Sequence, residues 1–340
     1  MLKYAVGRLV MMLGILLGVL VVTFSISRVL PSSPIEVMLG HRPTPEQIEA
    51  VRISLGLDQP LLVQFFHYVV QVLQGDFGTS LRTGRPVLAD VLSRMTATFE
   101  LTLLAALLVG AIGIPLGVLL AVRRNTPVDF VGRTTTLAGA SFPLFMIGML
   151  LQMVFYGGLG RLLPLQGRIG SETLLDYPFP PTTGLYLIDS ALAGQWPALV
   201  DAAAHLVLPV LTLAIASLAV ITRFTRNTML EVLNLDYIKT AWAFGVPDRR
   251  VYFRLALRPT LIPMLTIAGL TLGLMLGGSV IVESVFDWPG LGSYVVAAIA
   301  QNDYPAVMAV TLFLATLYLA INLVVDILYY VVDPRLRNAA

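Results

Sequence analysis

Residues 236–263 read DYIKTAWAFGVPDRRVYFRLALRPTLIP, a charged and patterned stretch set between two long apolar runs. Its residue types suit docking and force transmission rather than bond chemistry. Asp236 and Tyr237 open it, Thr240, Ala241 and Ala243 are small enough to let a partner's backbone approach, and Gly245 permits a sharp turn behind them. Trp242 and Phe244 add two large rings, and Arg249, Arg250, Arg254 and Arg258 follow. Those arginines fit two readings: contact with a partner, or the cationic anchor at the end of an apolar helix. Pro259 and Pro263 fit the entry of that helix, where a missing N–H costs least.

Polar side chains inside apolar runs are the other candidates, because burying them is costly. Asn322 and Asp326 are one helical turn apart and share a face. They fit a solute path or gate, and equally a structural bond to neighbouring helices, with Arg223 or Arg226 as available partners. Met146, Gln152 and Met153, with Met275 and Ser279, are candidate lining residues of a solute path; packing or lipid-facing roles suit them as well. Glu100 and Glu283 read as outer helix ends, and His205, four residues after Asp201, as a surface pair.

Bond-making chemistry finds little material. The chain has no GxxxxGK[ST] phosphate loop with which to cradle ATP, and neither an HExxH nor a GxSxG motif. His41, His67 and His205 are its only histidines, and cysteine is absent, which excludes disulfides and thiolate metal sites. An enzyme is disfavoured, and no metal or cofactor is expected on this chain.

The elements that must hold these residues are membrane helices. Hydrophobic residues make up 57% of the 340 and charged residues 12%, with a mean hydropathy of +0.83, too apolar for an ordinary soluble domain. The net charge of +2 includes no dense basic block, so nucleic acid is not an expected partner. Six windows, residues 9–27, 101–122, 134–160, 202–222, 259–282 and 304–325, are long enough to cross a hydrocarbon core, which takes about 20 helical residues. The third carries Pro143, Gly148, Gly157 and Gly158, and is expected to be a kinked helix ending near Phe155. The first exceeds the usual apolar region of a signal peptide and no A-x-A site follows, so it reads as a retained helix.

Orientation follows from the basic residues. With the N-terminus in the cytoplasm, the inner segments collect Lys3, Arg8, Arg123, Arg124, Arg133, Arg223, Arg226, Lys239 and the arginines from Arg249 to Arg258, then Arg335 and Arg337. The outer segment 283–303 has no basic residue. Both termini are then cytoplasmic. The long outer segment 31–98 mixes turn signals with amphipathic stretches at residues 45–54 and 61–73, and reads as a small, mostly helical cap. Thr44, Pro45 and Gln47 are placed as N-cap, first helical residue and capping-box partner.

Three separated blocks carry a family likeness. Residues 236–245, DYIKTAWAFG, resemble the cytoplasmic "EAA" loop of ABC-importer permeases, closest to the dipeptide/oligopeptide branch, where the loop reads approximately DYVRTARAKG. Residues 55–87, with LGLDQPL, GDFGTS and a Gly–Arg–Pro turn, look like the extracytoplasmic segment of peptide-type permeases. Residues 283–307 and 322–337 are similar to the C-terminal signatures of the same family. Trp242 and Phe244 depart from it, standing where the branch usually has Arg and Lys. They imply an apolar groove on the partner, or rings set in the headgroup belt.

The resemblance implies an all-α integral membrane protein of type I ABC-importer permease architecture, with six transmembrane helices, multi-pass in the bacterial inner membrane. It divides the chain into residues 1–30, the first helix; 31–98, the cap; and 99–337, a five-helix core with its EAA-like coupling loop at 228–258. It implies a permease subunit that pairs with a paralogous permease, two ABC ATPase subunits holding ATP and Mg²⁺, and an extracytoplasmic solute-binding protein, all in contact with membrane lipid. Di- or oligopeptides are the expected cargo, and residues 183–196 look like the extended outer loop of peptide-type members. Nickel chelates, glutathione and oligosaccharides are the alternatives, and an ion-coupled secondary transporter is the competing class, although no repeat relates the two halves.

Overall fold

The computed structural model describes residues 2–29, 44–54 and 58–332. Among them the chain is helical, with one isolated bridge between Thr79 and Pro86 and no strand. Lipid offers no hydrogen-bond partner, so each spanning segment must satisfy its backbone internally, and a helix does so within one segment. The order is α1 (Leu2–Val29), α2 (Pro45–Ser54), α3 (Leu61–Leu73), α4 (Val87–Val122), α5 (Pro127–Ser141), α6 (Leu144–Gln152), α7 (Ser171–Asp176), α8 (Tyr186–Leu192), α9 (Trp196–Leu233), α10 (Asp236–Ala243), α11 (Asp248–Val285), α12 (Leu291–Ala300) and α13 (Tyr304–Val332). Five of these are long and apolar enough to span a membrane, and a sixth span arises if α5 and α6 count as one. Residues 30–43, with His41, and 333–340, with Arg335 and Arg337, lie outside the described residues, as do residues 55–57 of the LGLDQPL block.

Two compact units divide the chain, Met1–Thr96 with Gly290–Leu319, and Ala97–Pro289 with Ala320–Ala340. In the first, the capping box forms as read from the sequence: the Thr44 N–H donates to Gln47 Oε1 at 2.9 Å and the Gln47 N–H to Thr44 Oγ1 at 3.3 Å. The two amphipathic stretches are helices with the anticipated bounds. Phe24 of α1 meets Phe65 edge-on and stacks on Tyr68, which fastens α3 to α1. The GDFGTSLRTGRP segment is tied down by Asp303, which accepts from the Ser80 hydroxyl and the Arg82 N–H. Beneath it Val87, Val91, Tyr294, Ala298, Ala306 and Val310 form a buried core.

In the second unit, α9 touches α5, α6, α8 and α11 and is the most buried of the spans. It also meets α4, through the G-x-x-x-G pair Gly113 and Gly117. A Cβ on Gly117 would lie 2.5 Å from Cβ of Thr225 and 2.7 Å from the Thr222 carbonyl oxygen, so only glycine lets the two backbones approach this far. Leu101, Leu206, Leu213, Met264, Met275 and Trp288 are among the core that fills the space between these helices.

Three sequence expectations are corrected here. The third apolar window is not one kinked helix: α5 and α6 meet at a bend of 101°. Pro143 has no N–H to continue α5, and Phe142 before it is held extended (φ −86°, ψ 138°). The helix beyond the bend also outlasts Phe155, through a π-helical turn at Met153–Gly158. Second, α11 begins at Asp248, so Pro259 and Pro263 lie inside a continuous helix; a π-helical turn, Val251–Ala256, precedes them. Third, Glu100 is interior to the 36-residue α4, and His205 pairs with Asp201 as read, its Nδ1 3.4 Å from Asp201 Oδ1, but is buried rather than on the surface.

The α4–α9 approach gives a direct test. Gly117→Ala is expected to destabilise the protein by about 1–3 kcal/mol through overpacking, whereas Gly110→Ala on the same helix, where an added Cβ meets nothing within 4 Å, leaves it unchanged. Thermal unfolding in detergent, followed by tryptophan fluorescence, checks this; equal melting temperatures for the two variants contradict it.

Candidate functional site

The segment between α9 and α11 folds as a short helix with one anchored face. Ile238 is the anchor: fully buried, it joins Val118 and Ala121 of α4, Met229 and Val232 of α9, and Val251 and Ala256 of α11. The opposite face is left open. Asp236, Tyr237, Lys239, Thr240, Phe244, Arg249 and Arg250 are all exposed, Phe244 at 84%. Lys239 Nζ sits 2.9 Å from Asp236 Oδ1 and holds that carboxyl below the usual carboxylate range.

Gly245 ends the helix. Its φ of +75° is the left-handed conformation that glycine alone adopts freely. The Gly245 N–H donates to the Trp242 carbonyl at 2.9 Å and the Val246 N–H to the Ala241 carbonyl at 3.0 Å, the paired bonds of a Schellman motif. Ala241 and Val246 both pack on the Ile238 cluster, supplying the apolar contact that accompanies this motif. A Cβ at position 245 would meet nothing within 4 Å, so backbone conformation, not space, reserves the site for glycine.

Two side chains fasten α10 to the start of α11. Pro259 has no N–H to offer the Leu255 carbonyl one turn back, and the Tyr237 hydroxyl donates to that oxygen instead, at 3.2 Å. Burial raises the Tyr237 phenol above its ordinary value, in the same sense as its role as a donor. Trp242 turns back on its own chain. Its Nε1–H donates to Asp248 Oδ1 at 3.0 Å and its ring meets Tyr252 edge-on at 6.4 Å, leaving it 37% exposed. Of the two aromatics that depart from the family pattern, Phe244 therefore points outward and Trp242 braces the turn.

The other sequence candidates do not converge. Met146 and Met153 are exposed. Gln152 Nε2–H donates to the carbonyls of Leu165 and Val285 at 3.0 and 3.2 Å, a cross-link between segments. Ser279 is buried and donates to the Leu276 carbonyl. Met275 alone borders an apolar cavity of about 170 Å³, with Val109, Ile221, Met264 and Thr271. Asn322 and Asp326 are half-buried on α13, and Asn322 Oδ1 lies 3.6 Å from where a Cβ of Gly269 on α11 would be.

Arg226, offered as their partner, is engaged elsewhere. Its Nε and Nη2 donate to the two carboxylate oxygens of Asp129 at 2.7 and 2.8 Å. Asp129 is fully buried at the start of α5, where it also accepts from the Asn125 N–H. Sequence reading missed Asp129, and missed Arg168, which pairs with Glu100, donates to the Gly184 carbonyl and stacks 3.7 Å from the Tyr186 ring centre. Charged residues inside or beside apolar helices were the available signal in both cases.

The fold is that of an ABC-importer permease. The inward-facing MetNI methionine ABC transporter superposes with a TM-score of 0.53 over 72% of this chain and 96% of that one, at 19% identity. Residues 113–338 match the family described as binding-protein-dependent transport system inner membrane component, and residues 1–102 match the N-terminal family of such membrane components; the chain belongs to this family. It is 45% identical to the probable D,D-dipeptide transport system permease protein DdpB of Escherichia coli K12, over 94% of this chain and 93% of that one. The di/tripeptide transport system permease protein DppB of Pseudomonas aeruginosa UCBPP-PA14 is 42% identical over 99% of both chains. The glutathione transport system permease protein GsiC of Salmonella choleraesuis SC-B67 is 40% identical over 99% of both. The protein is thus a multi-pass inner-membrane permease subunit of an ABC importer, which works with ATPase and binding-protein partners, and is not an enzyme.

The geometry at Gly245 sets one expectation. Gly245→Val puts a β-branched residue at positive φ, at a cost of about 1–2 kcal/mol, and should release the ATPase partner while the protein remains membrane-inserted. Gly245→Asn, which tolerates that conformation, should retain the partner. Co-purification of the ATPase with each variant measures this, and equal retention by both would show that the turn does not govern docking.

Proposed function

We propose that this chain translocates di- or oligopeptides handed over by an extracytoplasmic binding protein, as one half of a heterodimer with a paralogous permease. Two ATPase subunits carry the ATP and Mg²⁺, and one docks on the open face of α10. The observation that carries the docking reading is the two-sided α10: Ile238 fully buried on one face, and Tyr237, Thr240 and Phe244 exposed on the other. In this reading Phe244 is the apolar contact that the partner receives, and Arg249 and Arg250 flank it. The peptide cargo is supported by relatives named for D,D-dipeptide and di/tripeptide transport, similar over nearly the whole chain. Glutathione, itself a short peptide, is the second reading, favoured by the 40% identity to the glutathione permease.

Both termini lie in the cytoplasm in this proposal. The basic residues at the α4–α5 turn and around α10 support it, since cytoplasmic loops hold the excess of Lys and Arg. In this reading Met275, which borders the apolar cavity, and Ser279 one turn further along α11 serve the solute path, with Met146, Gln152 and Met153 on the α6 side. Asn322 and Asp326 hold α13 to its neighbouring helices in this reading, Asn322 lying beside Gly269 of α11.

Reconstitution tests the proposal. The chain alone should hydrolyse no ATP. With its partner permease and ATPases in proteoliposomes it should take up a labelled dipeptide only when ATP is present on the ATPase side, with hydrolysis stimulated by the loaded binding protein. Uptake driven by a proton or sodium gradient without ATP contradicts it.

A further inference from the structure

A second polar site lies away from α10, in a groove of about 410 Å³ between α5 and α9. Arg133, Arg223, Arg226 and Asn227 border it, with Thr222 in its wall. Three guanidinium groups here face one carboxylate. Asp129 takes Arg226 in a bidentate pair and Arg133 at 3.4 Å, and it is buried. Arg223 is exposed and makes no ion pair or hydrogen bond among the described residues. The groove therefore keeps an excess of positive charge that no side chain of its own answers.

Thr222 adds a second sign. Thr212 and Thr225 on the same helix donate to carbonyls one turn back, at 2.8 and 2.7 Å, whereas the buried Thr222 hydroxyl has no partner. The lining also changes character along its length. The Asp129–Arg226 pair sets the start of α5 beside the end of α9, so the cations share one end. Moving away from it along both helices, Leu137 and Ala140 follow Arg133, and Val220 and Ala219 precede Arg223. A charged mouth that continues into an apolar trough matches a ligand with an anionic head and a hydrocarbon body.

We propose that this groove binds an oxyanion, held by Arg223 and Arg133, and that the phosphate of an anionic phospholipid is the ligand its apolar continuation fits. The terminal carboxylate of a transported peptide is the other source of the same chemistry, and only that source rests on the peptide-import reading.

The test uses the complete importer in nanodiscs of phosphatidylcholine with a minor fraction of phosphatidylglycerol. Native mass spectrometry after release reads the phosphatidylglycerol retained, and proteoliposomes read uptake of a dipeptide with a free or an amidated C-terminus. Arg223→Gln and Arg133→Gln should each lower phosphatidylglycerol retention about fivefold, while Arg223→Lys, which keeps the charge, should retain most of it. ATPase co-purification reports whether each variant is assembled. Should retention stay constant while Arg223→Gln erases a preference for the free over the amidated peptide, the oxyanion is the peptide's. If Arg223→Gln and Arg133→Gln change neither readout, the site is overturned. Absence of uptake of either peptide by the unsubstituted importer would instead count against peptide import, and leaves the lipid measurement intact.

Discussion

The backbone of α4 at Gly117 lies against α9 more closely than any side chain allows, and the arrangement of the second unit follows from that contact. A bilayer gives apolar helices no hydrophobic reason to prefer one another to lipid, so shape must position them. The small pair Gly113 and Gly117 supplies that shape, facing Ile221, Thr222 and Thr225. Once α9 is seated there, its next turn carries Arg226 to the buried carboxylate of Asp129, which fixes the first turn of α5. Its last turn carries Met229 and Val232 to the cluster that receives Ile238. The helix that sets the packing thus also sets where α10 sits.

From that cluster outward, α10 is joined to α11 by more than the chain between them. Proline inside a membrane helix leaves a carbonyl without its N–H partner, and another group must supply the bond. At Leu255 the Tyr237 hydroxyl does so. The missing bond at Pro259 is therefore an attachment point for α10, and the Schellman turn at Gly245 with the Trp242–Asp248 bond closes the other side. A partner pushing on the open face of α10 acts on a helix bonded to α11 and packed on α4 and α9, not on a slack loop. In the proposed function, this is how a subunit without a phosphate loop of its own would receive the ATPase's motion.

Local signals were legible in the sequence. Thr44 and Gln47 cap α2 because capping needs only residues three apart, and α3 begins and ends where its amphipathic pattern does. The apolar windows located the spans because burial in lipid is a property of each segment. What failed to show required knowledge of distant residues. Arg226 meets Asp129 across 97 positions and Glu283 accepts from Thr98 across 185, and nothing within either segment announces its partner. The bend between α5 and α6 was half visible: Pro143 marked a kink, but an angle of 101° is set by what each half packs against. At the site, residue types singled out the segment now proposed to couple, while the separate fates of Trp242 and Phe244 depended on Asp248 and Tyr252 at the start of the next helix.

If the open face of α10 receives the ATPase subunit, as proposed, Phe244, the most exposed large side chain on it, must lie at that contact. A short photoactivatable cross-linker on Phe244→Cys, in the assembled importer in membranes, is expected to give an adduct with the ATPase subunit. An adduct with the extracytoplasmic binding protein, or with lipid alone, would contradict the account.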